Sequence, residues 1–292
     1  MVKFVDIISE LNKHNGTFPK REQRVADYVL ANLNTVSHMR QNEIAQASAV
    51  SVATVNRFCQ TLGCQGFKDF KIHFAQAVAV SLPYMERTDD ENSEYSQLVM
   101  QIFSAVTDTL NIARGQLDSV VMASAIDKLA VARRILFLGV GGGSSNVARE
   151  GANRFFRLGI PAEAHSDGYL QRMIASTLGP GDVVFAISAS GMPAELLDSV
   201  TIANQYGAET ISLTKRGSKL AKTTGTSIEI DIPEDQDIYK PSTSRLVYTA
   251  IVDVLAAGTA RKRPDLVREY LRRIRTSLAP LSEDAGPKPI GD

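Results

Sequence analysis

The sequence predicts two domains: an all-helical N-terminal domain, then an α/β domain built on a five-stranded parallel sheet flanked by helices. Three observations carry this. A length of 292 residues suits two domains of roughly 100–200 residues each. Apolar residues over 1–79 recur at helical spacing, and after Arg134 they gather into short runs bounded by Gly, Pro and Ser and separated by helix-length segments. With 44% hydrophobic and 22% charged residues, two Cys and no Trp, the composition excludes a mostly disordered, collagen-like or disulfide-stapled chain.

In the first domain, Phe4, Ile7, Ile8 and Leu11 fall at i, i+3, i+4 and i+7, and Val25, Val29 and Leu33 repeat that stripe after a break at Pro19. Short helices are expected around 43–48 and 52–62, then one from about 67 to 79. Residues 80–95 are polar and acidic with a Pro near the start, which reads as a linker and places the domain boundary there. The second domain, 96–280, opens with helical spacing at Leu98, Ile102, Ala105 and Val106, then at Val120, Val121, Ala125 and Leu129. Five strands follow: ILFLGV (135–140), IPAEAH (160–165), DVVFAIS (182–188), ETISLT (209–214) and SIEIDI (227–232). Buried strands alternating with helices such as 144–157 and 194–206 indicate a parallel sheet. Residues 281–292 read as a flexible tail.

Thirty-two Lys and Arg balance 32 Asp and Glu, and a net charge of zero argues at first sight against a nucleic-acid partner. By segment the neutrality is a cancellation: +3 over 1–77, −4 over 78–133, −2 over 134–260 and +3 over 261–292. No stretch approaches the roughly 18–20 apolar residues of a membrane helix, and charges interrupt the N-terminus where a signal peptide would be apolar. The expectation is a cytoplasmic protein with no membrane partner.

The stretch QNEIAQASAVSVATVNRFCQTLG (41–63) fits a helix-turn-helix. Ile44, Ala45, Val50, Val55 and Phe58 fall where two short crossing helices pack, and Ala49-Val50-Ser51 supplies the turn. Ser51 is placed to N-cap the second helix, whose buried side would be Val52, Val55, Cys59 and Leu62. Ala53, Thr54, Asn56, Arg57 and Gln60 are then left exposed or partly exposed where a recognition helix meets base edges. Arg57 suits guanine or phosphate, and Asn56 or Gln60 adenine. Lys20, Arg21, Arg24, Arg40, Lys68 and Lys71 are available for phosphates. Ala49 stands where Gly is common, which predicts an adjusted turn. The plainer alternative is a helical hairpin with a solvated polar face. Cys59 and Cys64, with His73, could offer a metal half-site, but no second ligand pair follows and buried thiols are expected. Neither a metal nor a cofactor is predicted.

In LGVGGGSSNVAREGANRFF (138–156), a Gly-rich loop joins a strand to a helix, whose N-terminal amides attract an anion. A P-loop fails because no Gly-Lys-Ser/Thr closes it. A dinucleotide fingerprint is weak: the glycines end in Ser144, and no acidic residue terminates the second strand. A small phosphorylated ligand fits better, with hydroxyls from Ser144 and Ser145 beside the loop amides. A second cradle, Ser188-Ala189-Ser190-Gly191-Met192-Pro193-Ala194-Glu195, follows the third strand, so two Ser-rich loops converge at the carboxyl ends of parallel strands. The serines could instead merely cap helices. His165 and Glu195 are the acid/base candidates near these loops, and Glu195 could also accept hydrogen bonds from sugar hydroxyls.

The chain resembles the RpiR family of bacterial transcriptional regulators, in which a helix-turn-helix domain precedes a sugar isomerase (SIS) domain. The resemblance rests on AVSVATVNRFCQTLGCQGFKDFK (49–71), LGVGGGSSNVA (138–148), ISASG (187–191) and EDQDIYKPSTSRL (234–246), and spans about residues 1–280. TVNRFC, FFRLGIPAEAHSD, QRMIAS and EDQDIYKPSTSR look particularly like its hexose-catabolism regulators. It implies a repressor of glucose and Entner–Doudoroff genes, not an enzyme, with double-stranded operator DNA as partner and a sugar phosphate, 2-keto-3-deoxy-6-phosphogluconate, as effector. By motif, Ser144 matches the Ser of the first SIS loop, Ser188 and Ser190 the pair of the second, and Arg57 the recognition-helix Arg. The sequence departs at Met192-Pro193, where such loops often carry Glu or Arg and then Thr. The expected site residues are therefore Ser51, Ala53, Thr54, Asn56, Arg57 and Gln60 for DNA, and Ser144, Ser145, Ser188, Ser190, Gly191 and Glu195 for the effector. A homodimer or higher oligomer would place one recognition helix on each half of a palindromic operator. The rival function is a sugar-phosphate isomerase in which Glu195 or His165 moves the proton; an NAD-linked oxidoreductase stands or falls on NADH binding.

Overall fold

The computed structural model describes residues 7–85, 95–233 and 242–281, which divide into two compact units, 7–85 forming the first. Phe4, most of the expected linker (86–94), most of EDQDIYKPSTSRL (234–241) and the tail beyond 281 lie outside the described residues.

The first unit is helical: α1 (Ile7–His14), α2 (Lys20–Ala31), α3 (Leu33–Val36), α4 (Gln41–Ala47), α5 (Val52–Thr61) and α6 (Phe67–Met85). The predicted stripes form its core, with Ile7, Leu11, Val25 and Val29 fully buried against Val55, Phe58, Phe70 and Phe74. Phe70 bridges Phe58 and Phe74, with ring centroids 5.9 and 5.1 Å away. Two boundaries differ from expectation. Leu33 starts a new helix after a break at Asn32, and α6 continues through Pro83 to Met85, so 80–85 are helix and not linker.

The turn between α4 and α5 is not adjusted around Ala49. Val50 N–H donates to the Ala45 carbonyl (2.9 Å) and Ala49 N–H to that of Gln46 (3.1 Å), the paired bonds of a Schellman ending. That ending needs a left-handed residue, and Ala49 supplies it at φ 52°. At the end of α5 the same pair of bonds forms around Gly63, at φ 83°. A Cβ in the left-handed region costs roughly 1–2 kcal/mol, partly offset because Ala loses less chain entropy than Gly on folding. Ala49→Gly should therefore stabilise this unit by about 0.5–1 kcal/mol, read as a higher Tm; an unchanged or lower Tm would show that Ala49 bears no such strain.

The second unit runs α7 (Tyr95–Gln116), α8 (Ser119–Ala130), β1 (Arg134–Gly139), α9 (Gly142–Arg157), β2 (Ala162–His165), α10 (Gly168–Ala175), β3 (Asp182–Ser188), α11 (Ala194–Gln205), β4 (Glu209–Thr214), α12 (Lys219–Thr223), β5 (Thr226–Glu229), α13 (Ser244–Lys262) and α14 (Pro264–Leu278), ending in a 3-10 turn at Ala279–Leu281. All five predicted strands are present, every pairing is parallel, and the order is β2-β1-β3-β4-β5. Alternation along the central strands builds two cores. Ile135, Phe137, Val183, Phe185 and Ile187 pack with α8, α9 and α13, whereas Leu136, Leu138, Val184 and Ala186 pack with α10, α11 and α12. Leu98 and Val120, expected to be inward-facing, are exposed, and it is the C-terminal end of α7, at Ala113, that reaches the core.

Asp182 opens β3 and is completely buried. Arg133 donates to both carboxylate oxygens (2.9 and 2.8 Å), Arg134 to one of them (3.2 Å), and Gly179 N–H adds a bond of 3.0 Å. Burial pushes the carboxyl pKa up, but these hydrogen bonds and the positive charge of Arg134 outweigh it and hold the group below its ordinary value. This lock sits at the amino end of the sheet, leaving the carboxyl end to the Ser-rich loops. Among the described residues no helix is long and apolar enough to cross a membrane.

Candidate functional site

Two features carry the chemistry, one in each unit. In the first, α4 and α5 form the predicted helix-turn-helix. Ser51 N-caps α5, its Oγ accepting from Thr54 N–H at 3.2 Å, and Gln41 Nε2 ties the two helices by donating to the Val52 carbonyl at 3.3 Å. Ser51, Ala53, Arg57 and Gln60 are exposed and Asn56 is half-buried, its side-chain oxygen lying against Gly66. Two expectations are corrected. Thr54 is 1% exposed, with its hydroxyl 3.0 Å from that of Ser51, so it does not face a partner; Val52, expected inside, is 42% exposed. Helical periodicity places Val52 nearer the centre of the apolar arc, but packing covers the Thr54 flank of this first turn. Cys59 and Cys64 are buried free thiols. Burial, reinforced by Cys64, pushes Cys59 up to about 12, and burial with the nearby Asp69 charge pushes Cys64 up to about 11. Both are protonated at neutral pH, the form that binds metal poorly. Among the described residues no group of three His, Cys, Asp or Glu is placed to hold a metal ion.

In the second unit a cavity of about 1140 Å³ opens at the carboxyl ends of β1, β3, β4 and β5. The strand order reverses between β1 and β3, the switch point at which open α/β sheets take their ligands. Ser144 in the first turn of α9, Ser188 at the end of β3 and Ser190 just beyond it line the cavity. Gly139 has to be glycine because a Cβ there would meet the Ser144 carbonyl oxygen at 2.4 Å, which shows how tightly the first loop folds back on its strand. Ser188 is buried, and its Oγ accepts from Gly191 N–H at 2.9 Å, leaving its proton for an acceptor in the cavity. Gly191 shapes the loop from outside the lining: at φ 64°, with Ser218 Oγ 2.3 Å from where a Cβ would stand, it admits no side chain.

Ser145 and Glu195 do not line the cavity. Ser145 donates back to the Gly142 carbonyl within its own helix (3.2 Å) and caps nothing, the N-cap of α9 being Gly141, and Glu195 is exposed on α11 with its stem against Gly168. His165 is also outside the lining, with Nε2 3.1 Å from a Glu163 carboxylate oxygen. Neither acid/base candidate of the isomerase alternative therefore reaches the cavity.

The sequence reading missed the loop after β4. Lys215, Arg216, Gly217 and Ser218 also line the cavity, next to the loop that follows the neighbouring strand β3, and bring two cations to the same space. The signal was available, since a basic, Gly-containing loop directly follows the strand ETISLT. The last part of SIEIDI also differs: Ile230, Asp231 and Ile232 leave β5 and wall the cavity, and Asp231 pairs with Arg216 at 3.3 Å. Ser244 and Tyr248 of α13 complete the wall.

Two family descriptions match the chain: "Helix-turn-helix domain, rpiR family" over residues 5–81 and "SIS domain" over 128–258. The HTH-type transcriptional regulator HexR of Escherichia coli is 37% identical over 274 residues, covering 94% of each chain. Its namesake in Pseudomonas aeruginosa is 36% identical over 275 residues, covering 94% of this chain and 96% of that one. Among solved structures, the Vibrio vulnificus NanR protein complexed with ManNAc-6P superposes with a TM-score of 0.59 at 25% identity, covering 95% of this chain and 100% of that one. Helix-turn-helix and SIS domain thus occur here in one chain, in the same order and at nearly full length as in named transcriptional regulators, and the chain belongs to the RpiR family of such regulators, a HexR-type member and not an enzyme.

Proposed function

We propose that the protein is a repressor whose grip on operator DNA is released by a sugar phosphate bound in the SIS-domain cavity, and that it controls glucose and Entner–Doudoroff genes with 2-keto-3-deoxy-6-phosphogluconate as effector. The observation that carries this is the meeting, in one cavity at the sheet's switch point, of Ser144, Ser188 and Ser190 with Lys215 and Arg216, donors suited to a phosphate. The sugar phosphate named for the NanR complex supports the ligand class. On the DNA side the reading set is Ser51, Ala53, Arg57 and Gln60 with the half-buried Asn56, and the exposed Val52 offers an apolar contact to a thymine methyl. A homodimer or higher oligomer would present two such helices to a palindromic site.

A ~100-fold loss of operator affinity requires the effector to prefer the non-binding state by ~2.7 kcal/mol, within the usual scale of allosteric coupling. The test is a gel shift on the promoter upstream of the protein's own gene, repeated with a panel of sugar phosphates. Release by 2-keto-3-deoxy-6-phosphogluconate is expected; a complex that survives every phosphate in the panel overturns the proposal. Ser188→Ala should raise the effector concentration needed for release about tenfold, one lost charge-assisted hydrogen bond, without changing operator affinity in the absence of effector. An unaltered dose-response would remove Ser188 from the site.

A further inference from the structure

We infer that Gln116 is a positioning residue that couples the occupancy of the cavity to α7, and so to the chain leading from the DNA-binding unit. The inference rests on the effector reading of the cavity given above.

Beyond β5 the chain runs along the cavity wall as the outer edge of the sheet. Ile230 N–H still donates inward, to the Thr214 carbonyl at 2.9 Å. At Asp231 the backbone groups turn the other way, where no strand lies alongside. Both are met by one side chain. Gln116 Nε2 donates to the Asp231 carbonyl at 2.8 Å, and Asp231 N–H donates to Gln116 Oε1 at 2.8 Å. The carboxamide, with one donor and one acceptor side by side, thus stands in for a neighbouring strand at this one position. Gln116 does not itself line the cavity.

Asp231 faces two ways. Its backbone is clamped by Gln116, and its carboxylate pairs with Arg216 across the cavity wall. That ion pair is long, 3.3 Å, and its side chains are 57% and 49% exposed, so it is weak and open to exchange. A phosphate bound beside Lys215 and Arg216 competes with the Asp231 carboxylate for the guanidinium, and displacing that carboxylate moves the backbone to which Gln116 is tied. Gln116 is the last residue of α7, and α7 is the first described element after residues 86–94, which lead from the helix-turn-helix unit. A chain of named contacts therefore runs from the anion subsite through Arg216, Asp231 and Gln116 into α7.

The test uses the full-length chain carrying Gln116→Met, which removes both hydrogen bonds while keeping length and helix propensity. Operator affinity is measured with and without 2-keto-3-deoxy-6-phosphogluconate, binding of that compound is measured by calorimetry without DNA, and Tm is recorded. The expected result is operator affinity and effector affinity each within about threefold of wild type, but a wild-type release of order 100-fold reduced to less than tenfold in the variant. A variant released as strongly as wild type overturns the inference, whatever its Tm. A variant in which effector affinity falls and release falls only in proportion also overturns it, since Gln116 then shapes the cavity without transmitting from it. Wild-type protein that no sugar phosphate releases fails the reading of the cavity itself, and the inference with it; that outcome is read on the wild type alone. Gln116→Glu, which retains the acceptor for Asp231 N–H but loses the donor, should lie between wild type and Gln116→Met in the strength of release.

Discussion

Arg57→Ala should abolish sequence-specific operator binding and leave effector affinity unchanged. Arg57 is exposed on α5, with Ala53 one turn before it and Gln60 one turn after it, and α5 is fixed at its start by the Ser51 cap and at its base by Phe58 and Cys59 in the core. Removing the guanidinium therefore costs the helix little. A bidentate arginine contact to guanine discriminates by about 1–3 kcal/mol, or roughly 5- to 150-fold for each half-site read. Two heads on a palindrome would multiply that factor. Fluorescence anisotropy at fixed salt, on operator and on scrambled duplex, separates the outcomes. Operator affinity should fall to near the scrambled level, while affinity for the scrambled duplex falls only by the loss of a phosphate contact. Equal affinity of variant and wild type for the operator would show that Arg57 does not read bases.

The largest stability effect is expected at the Asp182 lock, and it depends on which side is cut. Asp182→Ala frees Arg133 and Arg134, which are 67% and 38% exposed and can rehydrate, so the cost is mainly lost charge-assisted hydrogen bonds, about 1.5–3 kcal/mol. Replacing both arginines by Met instead strands a completely buried carboxylate, for which about 3–5 kcal/mol is the usual penalty. The double arginine variant should therefore unfold at lower denaturant than Asp182→Ala, and the reverse order would show that the carboxylate reaches solvent. The pH dependence follows from the direction of the shift. The folded-state pKa lies below the ordinary 3.8, so the contribution is fully present above that value and is lost as pH falls through the folded pKa. Asp182→Ala should thus flatten the acid limb of the stability profile below about pH 4 and leave its neutral and basic limbs parallel to wild type.

The sheet was legible because its central strands β1, β3 and β4 are buried on both faces and read as largely apolar runs, and the two Ser-rich loops were legible because they follow β1 and β3 directly. What escaped was decided by packing. Thr54 and Val52 flank the same apolar arc, and only the neighbours packed around α5 settle which of them is covered. Glu195 shares a loop and first turn with residues that do line the cavity, but its direction on the helix carries it over Gly168. Ile230 and Asp231 keep a strand's alternation after leaving the ladder, so their service as cavity wall has no local signal. Lys215 and Arg216 differ from these, since their position directly after a strand is visible in the sequence itself.

The cavity walls come from segments scattered between Val140 and Tyr248, whereas among the described residues the buried core of the first unit runs only to Val78. During synthesis at ~5–20 residues per second, the intervening length of 170 residues takes about 10–30 s to emerge. For that interval the residues of the helix-turn-helix unit are synthesised and those of the cavity are not. A chain cut short anywhere in that stretch would keep the residues of the helix-turn-helix unit and lack cavity walls, so, on the function proposed above, premature termination in this gene should leave any operator binding that survives insensitive to sugar phosphate.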